Sequence, residues 1–277
     1  MKNKILLVLV GLVLASMTYA QSSGGEIKRK TTQKTIRGGV TKRNHSSGRS
    51  KRNNSSSTVR SKSYSAEEMY EKGYEYEEKE DYKNAFIWYM KSAEQGYMDA
   101  QSEVGFYYLE GTGVDKNPSE AAKWLLKAAN QGESLAQEAL SNMYKDGIGV
   151  GVNEKEAEIW KNKAAKNFYE GAYNNIYSNS DVAVFLFEKV IKMQSIPYSV
   201  WALFQLGAMY FYGDGGLNVD YESAFNCFKI ASDCGNKPAM YYLGLCYEKG
   251  LGTQKDPSKA IIYRNLSGYT SMPSRNF

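Results

Sequence analysis

Residues 109–132 read LEGTGVDKNPSEAAKWLLKAANQG, and they decide the fold. Gly111 and Gly113 can adopt the positive φ that closes a helix, Asn117 can cap the helix that follows, and Pro118 suits its first position. Apolar residues recur three and four apart over residues 119–129, and again over residues 100–109 before the glycines. The spacing predicts one helix on each side of the loop. Gln131 and Gly132 then end the second helix and open the next unit.

Outward from this stretch the chain repeats itself. Ala85, Ala121 and Ala157 stand 36 residues apart, as do Trp88, Trp124 and Trp160, and Ala93, Ala129 and Ala165. Three residue types in one step over three units mark a repeat architecture. The frame resumes further on, where Gly207, Tyr210, Gly213 and Ala224 are matched by Gly244, Tyr247, Gly250 and Ala260, with one residue inserted between Gly213 and Ala224. Residues 172–198 match only in part. Val182, Phe185, Leu186, Val190 and Ile191 keep helical spacing there without a glycine loop, so the fourth of six units is degenerate and a bend or break is expected in it.

Small residues at fixed places indicate how the helices meet. Gly105 on a first helix and Ala121 on a second allow close backbone approach, while Trp124, Leu125 and Tyr108 supply the area buried between units; Gly73, Ala85, Trp88, Ala157, Trp160, Gly207, Ala224, Gly244 and Ala260 are the other structural repeat positions. A single helical hairpin cannot cover its own apolar face, whereas stacked hairpins can. The predicted fold class is all-α: an α/α superhelix (solenoid) of about six helical-hairpin repeats with a period near 36.

The stretch at 109–114, then Glu120, Ala121, Ala122, Lys123 and Trp124, and the run from Lys127 to Gly132 resemble the Sel-one-like repeat (SLR) family, and the likeness extends over about three quarters of the chain. Residues 144–150 and 247–252 repeat the glycine loop. Gly73, Tyr76 and Ala85 are similar to the related tetratricopeptide repeat, whose turn is shorter. The resemblance implies a helical scaffold that binds other proteins. Some exported relatives carry a cysteine pair in every repeat and are associated with penicillin binding or β-lactam hydrolysis, so a cell-envelope amide hydrolase (β-lactamase-like or peptidoglycan-acting) is the alternative reading.

The residues speak against that alternative. His45 is the only histidine of the chain and lies among Ser, Arg and Lys, no Ser-x-x-Lys occurs, and the cysteines are confined to Cys227, Cys234 and Cys246. A serine triad, a histidine base and a His-ligated zinc are thus excluded from the repeats. The sequence predicts no catalytic residues, no metal site, no cofactor and no enzyme. Two readings of the cysteines stay open. They are buried small apolar residues, or Cys227 and Cys246 form a disulfide in an oxidising compartment and leave Cys234 free.

Ahead of the repeats the composition changes twice. Lys2 and Lys4 precede an apolar run at residues 5–14, then small residues up to Ala20, the pattern of a cleaved secretory signal peptide and too short an apolar run to span a bilayer. An exported chain is expected, periplasmic or secreted after cleavage near Ala20, with no transmembrane segment in its mature form. Residues 21–64 are rich in Ser, Asn, Gly, Lys and Arg and read as a disordered linker. Their twelve basic residues against Glu26 give a net charge of +11. With +2 on the first twenty residues and +5 on the whole chain, residues 65–277 carry −8.

Such a linker is either a plain tether or a binder of anionic envelope surfaces, and it can also fold over the acidic repeats and block them. Without interleaved aromatic residues it does not suggest sequence-specific nucleic-acid recognition. The repeat domain spans residues 65–269, followed by a tail at 270–277. First helices are expected to line the binding side. Their outward aromatic residues, Tyr70, Tyr74, Phe106, Phe204, Phe211 and Tyr241, are the candidate contacts for a protein or peptide partner, with Glu77, Glu103, Glu138 and Glu248 adding negative charge. The expected function is a non-enzymatic, exported interaction scaffold.

Overall fold

The computed structural model describes residues 64–274, so the expected signal peptide and residues 21–63 of the basic linker lie outside the described residues. Among the described residues there are eleven α-helices and no strand. They divide into two compact units after Ala164. The first holds α1 (Ala66–Glu78), α2 (Tyr82–Glu94), α3 (Met98–Glu110), α4 (Pro118–Asn130), α5 (Ser134–Asp146) and the start of α6 (Glu154–Asn175). The second holds the rest of α6, α7 (Ser180–Met193), α8 (Tyr198–Tyr212), a 3-10 turn at Asp214–Gly216, α9 (Tyr221–Asp233), α10 (Lys237–Lys249) and α11 (Pro257–Ser267).

The quoted stretch folds as its residues dictate. Gly111, at φ +80°, donates its N–H to the Tyr107 carbonyl at 2.8 Å and closes α3. The Asn117 side chain accepts from the Glu120 N–H at 3.1 Å, and Pro118 opens α4. Gly113 has a different task. A Cβ on it would collide with the carbonyl of Tyr82, the first residue of α2, so the loop of one hairpin rests on the start of the preceding hairpin's second helix. The joint recurs one period later, where Gly149 meets the Pro118 carbonyl, and in the second unit, where Gly252 meets that of Tyr221.

The helices themselves close on small residues. A Cβ on Gly105 would stand 2.6 Å from Leu125 Cγ, and one on Gly207 would stand 2.9 Å from Phe228 Cε1. Ala85, Ala121, Ala157, Ala224 and Ala260 are all buried, as the repeat frame requires. Trp160 is buried and Trp88 and Trp124 are half-buried, each with a lysine three residues on over its ring: Lys91, Lys127 and Lys163 at 4.3, 3.5 and 4.0 Å from the centroids. A polar device repeats too. The buried Gln101 amide donates to the Ala93 carbonyl at 3.2 Å and the Gln137 amide to that of Ala129 at 3.0 Å. Both carbonyls lie in the last turn of a helix, where intrahelical donors run out.

α6 runs unbroken for 22 residues, from the third unit into the first residues of the degenerate fourth. In the first, second and fifth units the second helix stops before a glycine of positive φ, Gly96, Gly132 or Gly235. In the third repeat that place falls to Phe168, fully buried inside the helix. Without the glycine the second helix of the third unit continues as one helix into the fourth, and α7 packs on that extension through Tyr169 and Phe187, with ring centroids 5.7 Å apart.

The Cys227–Cys246 disulfide left open by the sequence is not formed. Both are buried free thiols, and Cys234 is an exposed one. Cys227 follows Ala224 by three residues, the place that tryptophan holds after Ala85, Ala121 and Ala157.

Candidate interaction surface

The structure places the six candidate contacts mostly in the interior, a correction to their expected outward role. Tyr70, Phe106, Phe204, Phe211 and Tyr241 are buried, and only Tyr74 is half-buried. Tyr70 packs on Tyr89 and Tyr97 with centroids 5.4 and 5.2 Å apart, Phe106 joins Leu125 and Leu140, and Phe204 meets Phe228 and Tyr242 at 6.1 and 5.8 Å. Phe211 is enclosed by Tyr212, Tyr221, Phe228 and Tyr242. A first helix packed between its own partner helix and the neighbouring hairpins keeps little open face. Of the acidic set only Glu103 is buried, at 3% exposed; Glu77 and Glu138 are half-buried, Glu77 accepting from the Tyr89 hydroxyl at 2.6 Å, and Glu248 is exposed and pairs with Arg264.

A different aromatic group reaches solvent in the second unit. Trp201 on α8 is 39% exposed and stands edge-on to the half-buried Tyr198 at 5.5 Å. Behind them the α6 side chain of Tyr169 meets Trp201 at 6.1 Å and Tyr198 at 6.2 Å, and stacks on Tyr173 at 6.5 Å. Burial raises the Tyr169 hydroxyl above its ordinary value, against a hydrogen bond with Gln205 that acts the other way. The platform therefore has a base of packed tyrosine rings and an indole at its rim. Sequence reasoning passed over Trp201, although a signal existed: of the four tryptophans it alone is off the 36-residue step.

The two buried cysteines are not activated as nucleophiles. Burial, with the Glu188 and Asp220 carboxylates beside it, pushes the Cys227 thiol up to about 12, and burial does the same to Cys246. That is the reverse of the electropositive setting that makes a cysteine nucleophilic. Burial raises the Glu188 carboxyl, partly offset by Lys192. Among the described residues no group of three His, Cys, Asp or Glu side chains could hold a metal ion, and no helix is long and apolar enough to cross a membrane.

Comparison with known proteins identifies the repeats. The Sel1 repeat model matches residues 64–97, 99–133, 134–167, 202–236 and 237–263, together more than half of the chain, and skips the region around α7. Among solved structures, the chain is similar to a Sel1 repeat protein from Oxalobacter formigenes, at 27% identity over 72% of this chain and 82% of that one, with a TM-score of 0.38. It is also similar to a protective antigen of uropathogenic Escherichia coli displaying an SLR fold, at 27% identity over 73% of this chain and 45% of that one, with a TM-score of 0.39. Sel1 repeats generally serve as protein-interaction scaffolds, and the helices, buried alanines and glycine joints described above are the structural form of these five matches. The chain belongs to the Sel1 repeat family.

Proposed function

We propose that this chain is an exported, non-enzymatic scaffold whose helical repeats hold a protein or peptide partner, with the platform at Trp201, Tyr198 and Tyr173 as the principal contact in the second unit. The observation that carries this reading is the exposed indole on a preorganised aromatic base, the kind of anchor that dominates protein interfaces. Export rests on the apolar run at residues 5–14 followed by small residues up to Ala20. The net +11 of residues 21–64 supports an added, salt-sensitive attraction to anionic envelope surfaces.

Capture from envelope extracts tests the scaffold. A protein held by the wild-type chain is expected to be lost with W201A and with Y198A, while circular dichroism stays unchanged and nitrocefin is not turned over. A captured protein indifferent to both substitutions overturns the platform. Turnover of nitrocefin or of peptidoglycan by the purified chain overturns the non-enzymatic reading. Deleting residues 21–64 should abolish retention on anionic vesicles at low salt, and unchanged retention removes the linker's part.

A further inference from the structure

After α11 the chain turns back on itself. Gly268, at φ +72°, donates its N–H to the Asn265 carbonyl at 3.2 Å, and the Tyr269 N–H donates to Ser267 Oγ at 3.1 Å. The segment that follows, residues 269–274, reads Tyr-Thr-Ser-Met-Pro-Ser and carries no charge. It is not helical. The Tyr269 ring meets Tyr241 of α10 edge-on at 6.5 Å, the Tyr212 hydroxyl at the end of α8 donates to Met272 Sδ at 3.1 Å, and Pro273 is buried. The hydroxyls of Tyr212 and Tyr242 lie 3.1 Å apart under this crossing. The tail therefore passes from the first helix of the last hairpin to that of the hairpin before it, along the side where the sequence placed its candidate contacts.

The manner of contact is that of a ligand rather than of a core. Anchors stand at Tyr269, Met272 and Pro273, while Thr270 and Ser271 between them are exposed and Met272 itself remains 51% exposed. A non-helical segment held at spaced anchors is how linear peptides dock on preformed helical surfaces. Attachment at Gly268 supplies an effective concentration in the millimolar range, so even shallow contacts keep it in place.

We propose that the first-helix face at Tyr212, Tyr241 and Tyr242 is a peptide-docking groove occupied by the chain's own residues 269–274, and that its partner is an uncharged, non-helical segment with an aromatic residue three positions before Met-Pro, which binds by displacing this tail. The proposal rests on the scaffold reading and names, in the same unit, a second contact and the chemistry it accepts. While the tail is seated, the competitor's apparent affinity falls by the fraction of chains with an open groove.

A fluorescent synthetic peptide of residues 269–274 tests this on the full chain. It is expected to bind a Tyr269→Ser/Met272→Asp double variant at least about tenfold more tightly than the wild type, and to lose that gain when Tyr212→Ala is added. Equal binding to wild type and double variant overturns the proposal, as does failure to bind a double variant whose melting is unchanged. Should the double variant not fold, the Met272 methyl resonance of the wild-type chain gives the answer. Migration toward the free-peptide position on addition of unlabelled peptide supports displacement, and a fixed resonance at ~10 mM peptide, above the tether's effective concentration, overturns it. Failure of the scaffold reading looks different, because the peptide would still displace the tail while no envelope protein is captured.

Discussion

Leu125 fills the space in which a side chain on Gly105 would begin, its Cγ standing 2.6 Å from that point and its backbone N 3.2 Å. The backbone atom cannot give way without moving α4. G105A is therefore expected to destabilise the chain by about 1–3 kcal/mol, although alanine alone would favour the helix by about 1 kcal/mol. Gly151 is the control. Nothing lies within 4 Å of its added Cβ, so G151A should be neutral or stabilising by up to about 1 kcal/mol. Urea unfolding of the two variants checks the contrast.

Lys127 stands closest of the three lysines to its indole, at 3.5 Å from the Trp124 centroid. Both side chains keep some contact with solvent, which places the pair toward the weaker end of such interactions. A double-mutant cycle on K127A and W124A is expected to return a coupling of about 0.5–1 kcal/mol. K127R should retain most of it. A coupling of zero would make the repeated lysines solvated ornaments of the helix.

Two buried thiols set an alkaline limit. Cys227 and Cys246 are raised from 9.0 to about 12 in the folded chain, by burial first. Both forms of the protein hold these protons below pH 9, so their contribution is fully present there. Between pH 9 and 12 the unfolded chain releases them and the folded chain does not, so stability falls as pH rises through that window. C227A and C246A should each flatten the decline measured by denaturant midpoints at successive pH values. The exposed Cys234 should react with a thiol reagent in the folded state, and the other two only after unfolding.

Phe168 replaces a helix-ending glycine, and its removal tests that account of α6. F168G deletes a fully buried ring and should cost about 3–5 kcal/mol with a loss of far-ultraviolet helicity. F168L keeps the helix and most of the volume and should cost under about 1.5 kcal/mol. Equal losses from both would show that only volume matters at this position.

The repeat frame was legible because close approach leaves a trace in residue size: Ala121 and Gly105 must be small wherever they recur. The long helix was legible in principle, since Phe168 sits where Gly132 sits one period earlier. Reading residues 172–198 for their own pattern concealed it. The candidate contacts failed for a geometric reason. Helical periodicity marks one apolar stripe, but a first helix such as α8 is packed on several sides, so Phe204, Gln205, Leu206, Gly207, Ala208 and Met209 are buried in succession. Tail contacts such as Tyr269 with Tyr241 depend on where a chain end turns after its last helix, and no periodic signal encodes that.

The resting of Gly113 on Tyr82, repeated by Gly149 on Pro118, bears on how such a gene can grow. Each unit carries the loop that grips its predecessor and the helix start that its successor will grip. A tandem duplication of some 36 codons in this part of the gene would therefore lengthen the array without any redesign of its fastenings, whereas a cut within α6 would sever a shared beam.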